Sequence, residues 1–320
     1  MNLTVKRNTL ILMLVLLFAI VLAAVKGPVD IPLGQILLRD NRQILLLRLS
    51  RILLAMITGS GLAAAGIAMQ AILKNPLAEP YLLGTSSGAG LGAVVATILG
   101  AGAVFLPFAA FIGSVSSVIL VYLIAKEGNR IPVQSLILSG VIVSIAMSGL
   151  IVFLVSVSAK EGLHGLMWWL WGSLEVYDAG FLFIVSAIVL AGIAAIFVFS
   201  QDMNAMSIGD EEAMHLGIKT ETVKKILFLV TSLITASLVS ISGVIGFVGL
   251  IIPHLMRFIV GPNHKTLIPA SCLAAAAFMV LCDTLSRTMF APIEIPIGVI
   301  TATIGVPVFI VLLKTKQRIT

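Results

Sequence analysis

The side chains able to do chemistry are few, and they cluster between long oily runs. Arg48 and Arg51 stand three residues apart at the head of one such run. A guanidinium there can grip a carboxylate in a fixed two-pronged geometry, or rest at a membrane surface with its stem in lipid. Asp210, Glu211 and Glu212 are three consecutive carboxylates, and Asp283 and Arg287 have the four-residue spacing of an ion pair along a helix. His254 stands beside Arg257 on an apolar stretch and reads as packing rather than as a ligand. Cys272 and Cys282 fall in one predicted helix, about 15 Å apart along its axis. A disulfide needs Cα atoms within about 7 Å, so both read as packing. The chain has no Gly-Lys dipeptide, hence no GxxxxGK[ST] phosphate cradle, and no HExxH motif. A proton relay needs acids or histidines deep in a bundle, and the apolar runs hold almost none. No catalytic residue and no metal site is expected.

The elements that must position these groups are membrane helices. Of 320 residues, 59% are hydrophobic and only 11% charged, against about 25% charged in a soluble domain. A bilayer crossing takes about 20 apolar residues. Ten runs qualify: 8–25, 49–72, 82–99, 104–125, 133–156, 181–199, 224–243, 244–260, 266–286 and 297–313. The runs are continuous rather than alternating, which excludes a transmembrane barrel. The expected fold is an all-α polytopic membrane protein with ten transmembrane helices. The first run, after Lys6 and Arg7, is longer than a signal-peptide core and reads as a membrane helix. Between the seventh and eighth runs, Gly243 and Gly246 offer a break. With both termini inside, 13 Lys and Arg lie on the inner side and 7 on the outer, which agrees with the positive-inside bias. The net charge of +6 is scattered through loops and does not suggest nucleic acid. Shifting the chain by 177 residues lays Gly66 on Gly243, Pro76 on Pro253 and Arg48 on Lys225. An inverted repeat of helices 2–5 against 7–10 would give such a match.

The longest inner loop, 200–223, predicts a short helix at about 208–216. Ser207 and Asp210 have capping-box spacing, the three acids suit a helix N-terminus, and Gly217 is a natural stop. Ala213, Met214 and Leu216 are left to dock. Helices that lie on lipid usually carry Lys and Arg on the polar face; this one is acidic, which favours a protein partner.

At this point a family resemblance is specific. "RLSRILLAMITGSGLAAAGIAMQAILKNPLAEPYLLGTSSGAG", "GDEEAMHLG", "GVIGFVGLIIPHLMRFIVGPNHKTLIPA", "DTLSR" and "EIPIGVITATIGVPVFIVLL" occur in that order over about 260 residues. The chain resembles the permease subunits of type II ATP-binding-cassette importers, which carry iron-siderophores, haem or cobalamin. Ser50 departs from the proline the family often has there.

The resemblance implies a single permease domain, 1–320, in the bacterial inner membrane. Its partners would be a second permease subunit (a homodimer is expected), two copies of a P-loop ATPase that hold ATP and Mg²⁺, and an extracytoplasmic binding protein. This chain would bind no cofactor and would not itself be an enzyme. Residues 208–217 would be the coupling helix, contacting the ATPase through Gly209, Asp210, Glu211, Glu212, Ala213, Met214, Leu216 and Gly217. Arg48, Arg51 and Arg287 would grip acidic residues of the binding protein. The path would run along the fifth and last helices, with Gln134 and Ser135 near the inner gate and Ser139 and Ser144 further along. The expected cargo is an iron-siderophore or haem, with cobalamin as the alternative. An ion-coupled secondary transporter is the rival from another class.

Overall fold

The computed structural model describes residues 3–28, 42–128, 132–158, 168–176 and 178–317. These form helices α1 (Leu3–Val25), α2 (Arg42–Ile72), α3 (Thr85–Ile98), α4 (Leu106–Ala125), α5 (Val133–Val157), α6 (Ala179–Val198), α7 (Ser200–Met206), α8 (Asp210–His215), α9 (Thr220–Ser242), α10 (Val248–Val260), α11 (His264–Thr288) and α12 (Ile297–Gln317). Each of the ten apolar runs falls on one of these helices. Seven are long and apolar enough to cross a membrane, while α3, α10 and the apolar part of α12 are shorter. The short α7 was not expected from the sequence.

Helix α2 is the hub. Its middle reads "TGSGLAAAGIA", and small residues let membrane helices approach closely. Gly59 abuts the Ala275 carbonyl of α11, and Gly66 abuts the Gly249 carbonyl of α10; a Cβ at either place would strike main chain. The residues of α2 from Ala63 to Gln70 are all buried. Helix α1 is the opposite case, with Leu10, Leu14, Leu17 and Phe18 exposed to the surroundings, as a helix flanked by lipid would be.

The packing pattern contains a repeat. α2 packs on α9, α10 and α11, while α9 packs on α2, α3 and α4; α3–α4, α4–α5 and α3–α5 contacts are matched by α10–α11, α11–α12 and α10–α12 contacts. Exchanging α2 with α9, α3 with α10, α4 with α11 and α5 with α12 returns the same set of pairs. The register at a shift of 177 does not survive. Pro76 lies in the turn after α2, whereas Pro253 is inside α10. The connection 73–84 is longer than 243–247, so one shift cannot align both helices of a pair.

Two of the paired elements are only partly helical. α3 has 14 residues and α10 has 13, so each is about 20 Å long against a hydrocarbon core of about 30 Å. Gly243 ends α9 with φ +67°, tight against the Trp169 carbonyl, and Phe247 enters α10 from the left-handed region at φ +70°. The non-helical stretch 243–247 meets the 3-10 turn Pro80–Leu83 and the residue before it, ahead of α3. The Phe247 amide donates to Glu79 Oε1 at 2.8 Å, and the Ile245 amide to the Tyr81 hydroxyl at 3.4 Å. Gln70 Nε2 donates to the carbonyls of Ala78 and Gly249. Irregular backbone at membrane depth is tolerated where protein satisfies its polar groups, and these contacts do that.

The two ends of the bundle are defined by side-chain contacts. Asn8 to the Ile259 carbonyl, Lys74 to Asp210 and Asn204 to Asn263 lie at one end. Arg48 to the end of α1, and Arg51 to Asp283 and Glu294, lie at the other.

Candidate functional site

At the first end α8 stands outside the bundle. Gly209, in an extended conformation, precedes it without a side-chain cap, and Asp210, Glu211 and Glu212 form its first turn. Carboxylates there are favoured by the exposed amides of a helix N-terminus. The helix stops in a Schellman arrangement: Gly217, at φ +84°, donates to the Met214 carbonyl, and Ile218 donates to the Ala213 carbonyl. Ser207 is not the cap expected of it. Its hydroxyl donates back to the Met203 carbonyl at the end of α7, so the helix begins at Asp210 rather than 208.

The faces of α8 are distinct. Met214 and Leu216, with Ile208 just before the helix, are exposed apolar groups. Glu211 and Glu212 are exposed as well. Ala213 is fully buried, which removes it from the docking face expected of it; its methyl packs into the core. Asp210 also turns inward. Its Oδ2 lies 2.6 Å from Lys224 Nζ and its Oδ1 3.0 Å from Lys74 Nζ. Partial burial alone would raise the Asp210 carboxyl; the hydrogen bonds and charge of Lys224 and Lys74 outweigh it and hold the group below the usual carboxylate range. The neighbouring α7 is fastened through Asn204. Its Oδ1 accepts from the His264 amide at 2.9 Å, and its Nδ2 donates to Asn263 Oδ1 at 3.1 Å. In the sequence Lys74 and Lys224 figure only as topology charges and Asn204 does not figure at all. Nothing local marks them, because their partners are 14 to 136 residues away.

At the opposite end the arginines are engaged by the chain itself. Arg48 is 5% exposed, and its Nη1 donates to the Ala24 and Val25 carbonyls at 2.7 and 2.8 Å. It therefore closes the C-terminal end of α1, whose last carbonyls lack helical partners. Asp283, 1% exposed, sits between two guanidiniums: Arg51 Nε at 2.7 Å and Arg287 Nε at 2.9 Å. Arg51 also reaches Glu294 at 2.8 Å. The helix ion pair read from the spacing of Asp283 and Arg287 is present. Arg48 and Arg287, both expected to dock a binding protein, are buried and bound within this chain. Of this group Arg51 and Glu294 reach the surface, where they border a cavity of about 170 Å³ together with Trp168 and Glu175. Ser50, at the departure from the family pattern, donates to the Leu46 carbonyl one turn back.

The four expected path residues on α5 do not share one environment. Gln134 is exposed, and Ser135 is half-buried and donates to Glu127 Oε1 at 2.7 Å. Ser139 is buried and donates to the Ser135 carbonyl, so it faces the interior of this chain. Ser144 is half-buried near Gly84. The outward face of α5 is apolar, with Leu138, Ile142 and Ile145 exposed.

His254 packs edge-on against Phe258, with ring centroids 5.2 Å apart, as expected of a packing residue. Both cysteines are free, and Cys272 lies against the Ser60 carbonyl. Gly84-Thr85-Ser86-Ser87-Gly88 has the GxSxG spacing of a nucleophile elbow. That elbow needs a strand-to-helix turn. Here the pentapeptide follows a 3-10 turn and opens α3, so the context for a nucleophile is missing. No group of three or more His, Cys, Asp or Glu able to hold a metal ion occurs among the described residues.

A family model described as the FecCD transport family matches residues 12–315. A cobalamin import system permease protein from Halobacterium salinarum is 39% identical over 272 residues, covering 85% of this chain and 73% of the relative. A hemin transport system permease protein from Yersinia pestis is 33% identical, covering 85% of this chain and 84% of its own length. A solved structure described as an inward-facing conformation of a metal-chelate type ABC transporter superposes with a TM-score of 0.87 at 32% identity, covering 97% of this chain and 99% of the other.

Proposed function

This chain belongs to the FecCD transport family and is a multi-pass membrane permease subunit of a type II ATP-binding-cassette importer, and we propose that it is one half of a passive gate driven from its inner face. The observation that carries this is α8: a six-residue helix outside the bundle that shows apolar and acidic side chains outward and is pinned to the feet of α2 and α9. In a chain without a phosphate cradle, the engine is a separate P-loop ATPase pair that holds ATP and Mg²⁺. Residues 208–217 seat on it as the coupling helix, with Ile208, Glu211, Glu212, Met214 and Leu216 as the contact face. Both termini lie on that cytoplasmic side. The ten helical runs then all cross, α3 and α10 with help from their non-helical stretches, in a single domain of residues 1–320.

A second copy of the chain packs alongside, and the path for cargo runs between the two. Gln134 and Ser135 stand near its inner gate and Ser144 further along. The extracytoplasmic binding protein docks at the other end, where Arg51 and Glu294 reach the surface. The cargo is a bulky metal chelate. Cobalamin and haem both suit, since relatives of similar identity are named for each, and an iron-siderophore is the third choice.

The test is uptake in proteoliposomes with ATP supplied on the α8 side, using cyanocobalamin, haemin and a ferric siderophore as probes. Uptake of one of them should require the co-purified ATPase and stop with Met214→Pro. Accumulation driven by an ion gradient with no ATPase present would overturn the reading in favour of a secondary transporter.

A further inference from the structure

The contacts of α8 also bear on how a push from the ATPase enters the bundle, and this inference rests on the coupling-helix reading. Of the six residues of α8, Glu211, Glu212, Met214 and His215 are exposed. That leaves Ala213 and Asp210 facing the protein. A buried methyl is a non-directional contact that can slide. A carboxylate held between two ammonium groups is fixed at two points, here by a charge-assisted hydrogen bond from Lys224 at 2.6 Å and an ion pair with Lys74 at 3.0 Å. The two ammonium groups come from different elements. Lys74 directly follows α2, and Lys224 is near the start of α9, where it is almost fully buried and also lies 3.5 Å from Glu221. α2 and α9 are the lead helices of the two inverted halves, exchange with each other under the repeat, and pack together at its centre.

We propose that Asp210 is a positioning residue that locks the coupling helix to the lead helices of both halves, so that α8, α2 and α9 move as one body. The carboxylate does not serve the ATPase contact; it makes that contact felt inside. Coupling between distant sites is carried by packed side chains, salt-bridge networks and rigid elements, and here the joint is a single side chain. Without it, α8 would be held through Ala213 and its link to α7, and a displacement imposed from outside would be spent on bending the loops.

The test is a spin-label distance measurement on the permease purified with its ATPase and embedded in lipid nanodiscs. Labels go on His215→Cys and Leu46→Cys, both at exposed positions, in a Cys272→Ala, Cys282→Ala background. The pair reads α8 against the far end of α2. With Asp210 intact, trapping nucleotide in the ATPase should leave the separation unchanged, because the two helices move together. With Asp210→Asn the same treatment should shift or broaden it. Lys74→Gln, at a half-exposed side chain, cuts one of the two bonds without touching α8 and should give the smaller shift of the same kind. A separation that changes with Asp210 intact, or that stays fixed in both variants, overturns the proposal. The underlying reading fails separately: if the ATPase does not co-purify, or if Met214→Pro leaves its binding untouched, α8 is not the coupling helix whatever Asp210 does.

Discussion

The two ends of the bundle use the same device in different settings. At each end one carboxylate sits between two cations: Asp283 between Arg51 and Arg287, and Asp210 between Lys74 and Lys224. The Asp283 side chain is 1% exposed and that of Asp210 is 31% exposed. Guanidiniums, with fixed planar donors, serve the dry end, and flexible ammonium groups serve the wet one. The first arrangement joins two long helices, α2 and α11, and locks them. The second joins a six-residue helix to the bundle through one nearly buried ammonium, Lys224, and one half-exposed one, Lys74. The same charges therefore make a clamp at one end and a joint at the other, and burial decides which.

The largest expected effect comes from breaking the clamp. Asp283→Asn strands the Arg287 guanidinium in a dry site and leaves Arg51 with Glu294 alone, and losing one partner of a buried pair costs about 3–5 kcal/mol. Thermal unfolding in detergent should show it as a large fall in midpoint; a change of the size seen for a surface residue would mean water already reaches this site. Arg48→Gln should cost about 1–3 kcal/mol, since two carbonyls at the end of α1 lose a charged donor. Proteolysis between α1 and α2 reads this directly. At the other end Asp210→Asn should cost less in stability, about 0.5 kcal/mol as for a partly exposed pair. Its effect on cargo imported per ATP hydrolysed should be about tenfold, within the usual span of coupling free energies. Equal losses of stability for Asp210→Asn and Asp283→Asn would erase the distinction between joint and clamp. Glu294→Gln, at the rim, should stay within about 0.5 kcal/mol, with its effect confined to affinity for the binding protein in a pull-down.

The smallest effect is in pH. The Asp210 carboxyl is held below its ordinary range by Lys224 and Lys74 against the opposing pull of partial burial. A lowered folded value means that its contribution is complete above the unfolded carboxylate pKa and is lost only as pH falls through the lower folded one. Cargo per ATP should therefore be flat from neutrality to about pH 5. A decline within that range would show that the joint is weaker than its geometry suggests.

Much of this architecture is legible in the sequence, for a plain reason. A bilayer demands about 20 apolar residues per crossing, so each run announces its helix. The acidic triplet and Gly217 likewise announce α8, because capping and dipole preferences are local. What depends on distant partners is not legible. Arg48 could have faced water, lipid or another chain, and only the fold reveals that it ends on the carbonyls of Ala24 and Val25. Ser139 looks like any hydroxyl on a membrane helix until the packing of α5 turns it inward. The repeat is legible as an order of helices but not as a register, since its two halves have connections of unequal length. Glu79 reads as a loop residue, because the amide it serves belongs to Phe247.

That last pairing constrains how the protein is made. Glu79 is synthesised 168 residues before its partner amide, so the first half of the chain enters the membrane with the Glu79 carboxylate and the Tyr81 hydroxyl still lacking their partner amides. The connection 73–84 and the stretch 243–247 can dry only against one another. A chain cut between α6 and α9 should leave the early piece wet at its centre and open to quality-control proteases, whereas co-expression of both pieces should let each shelter the other.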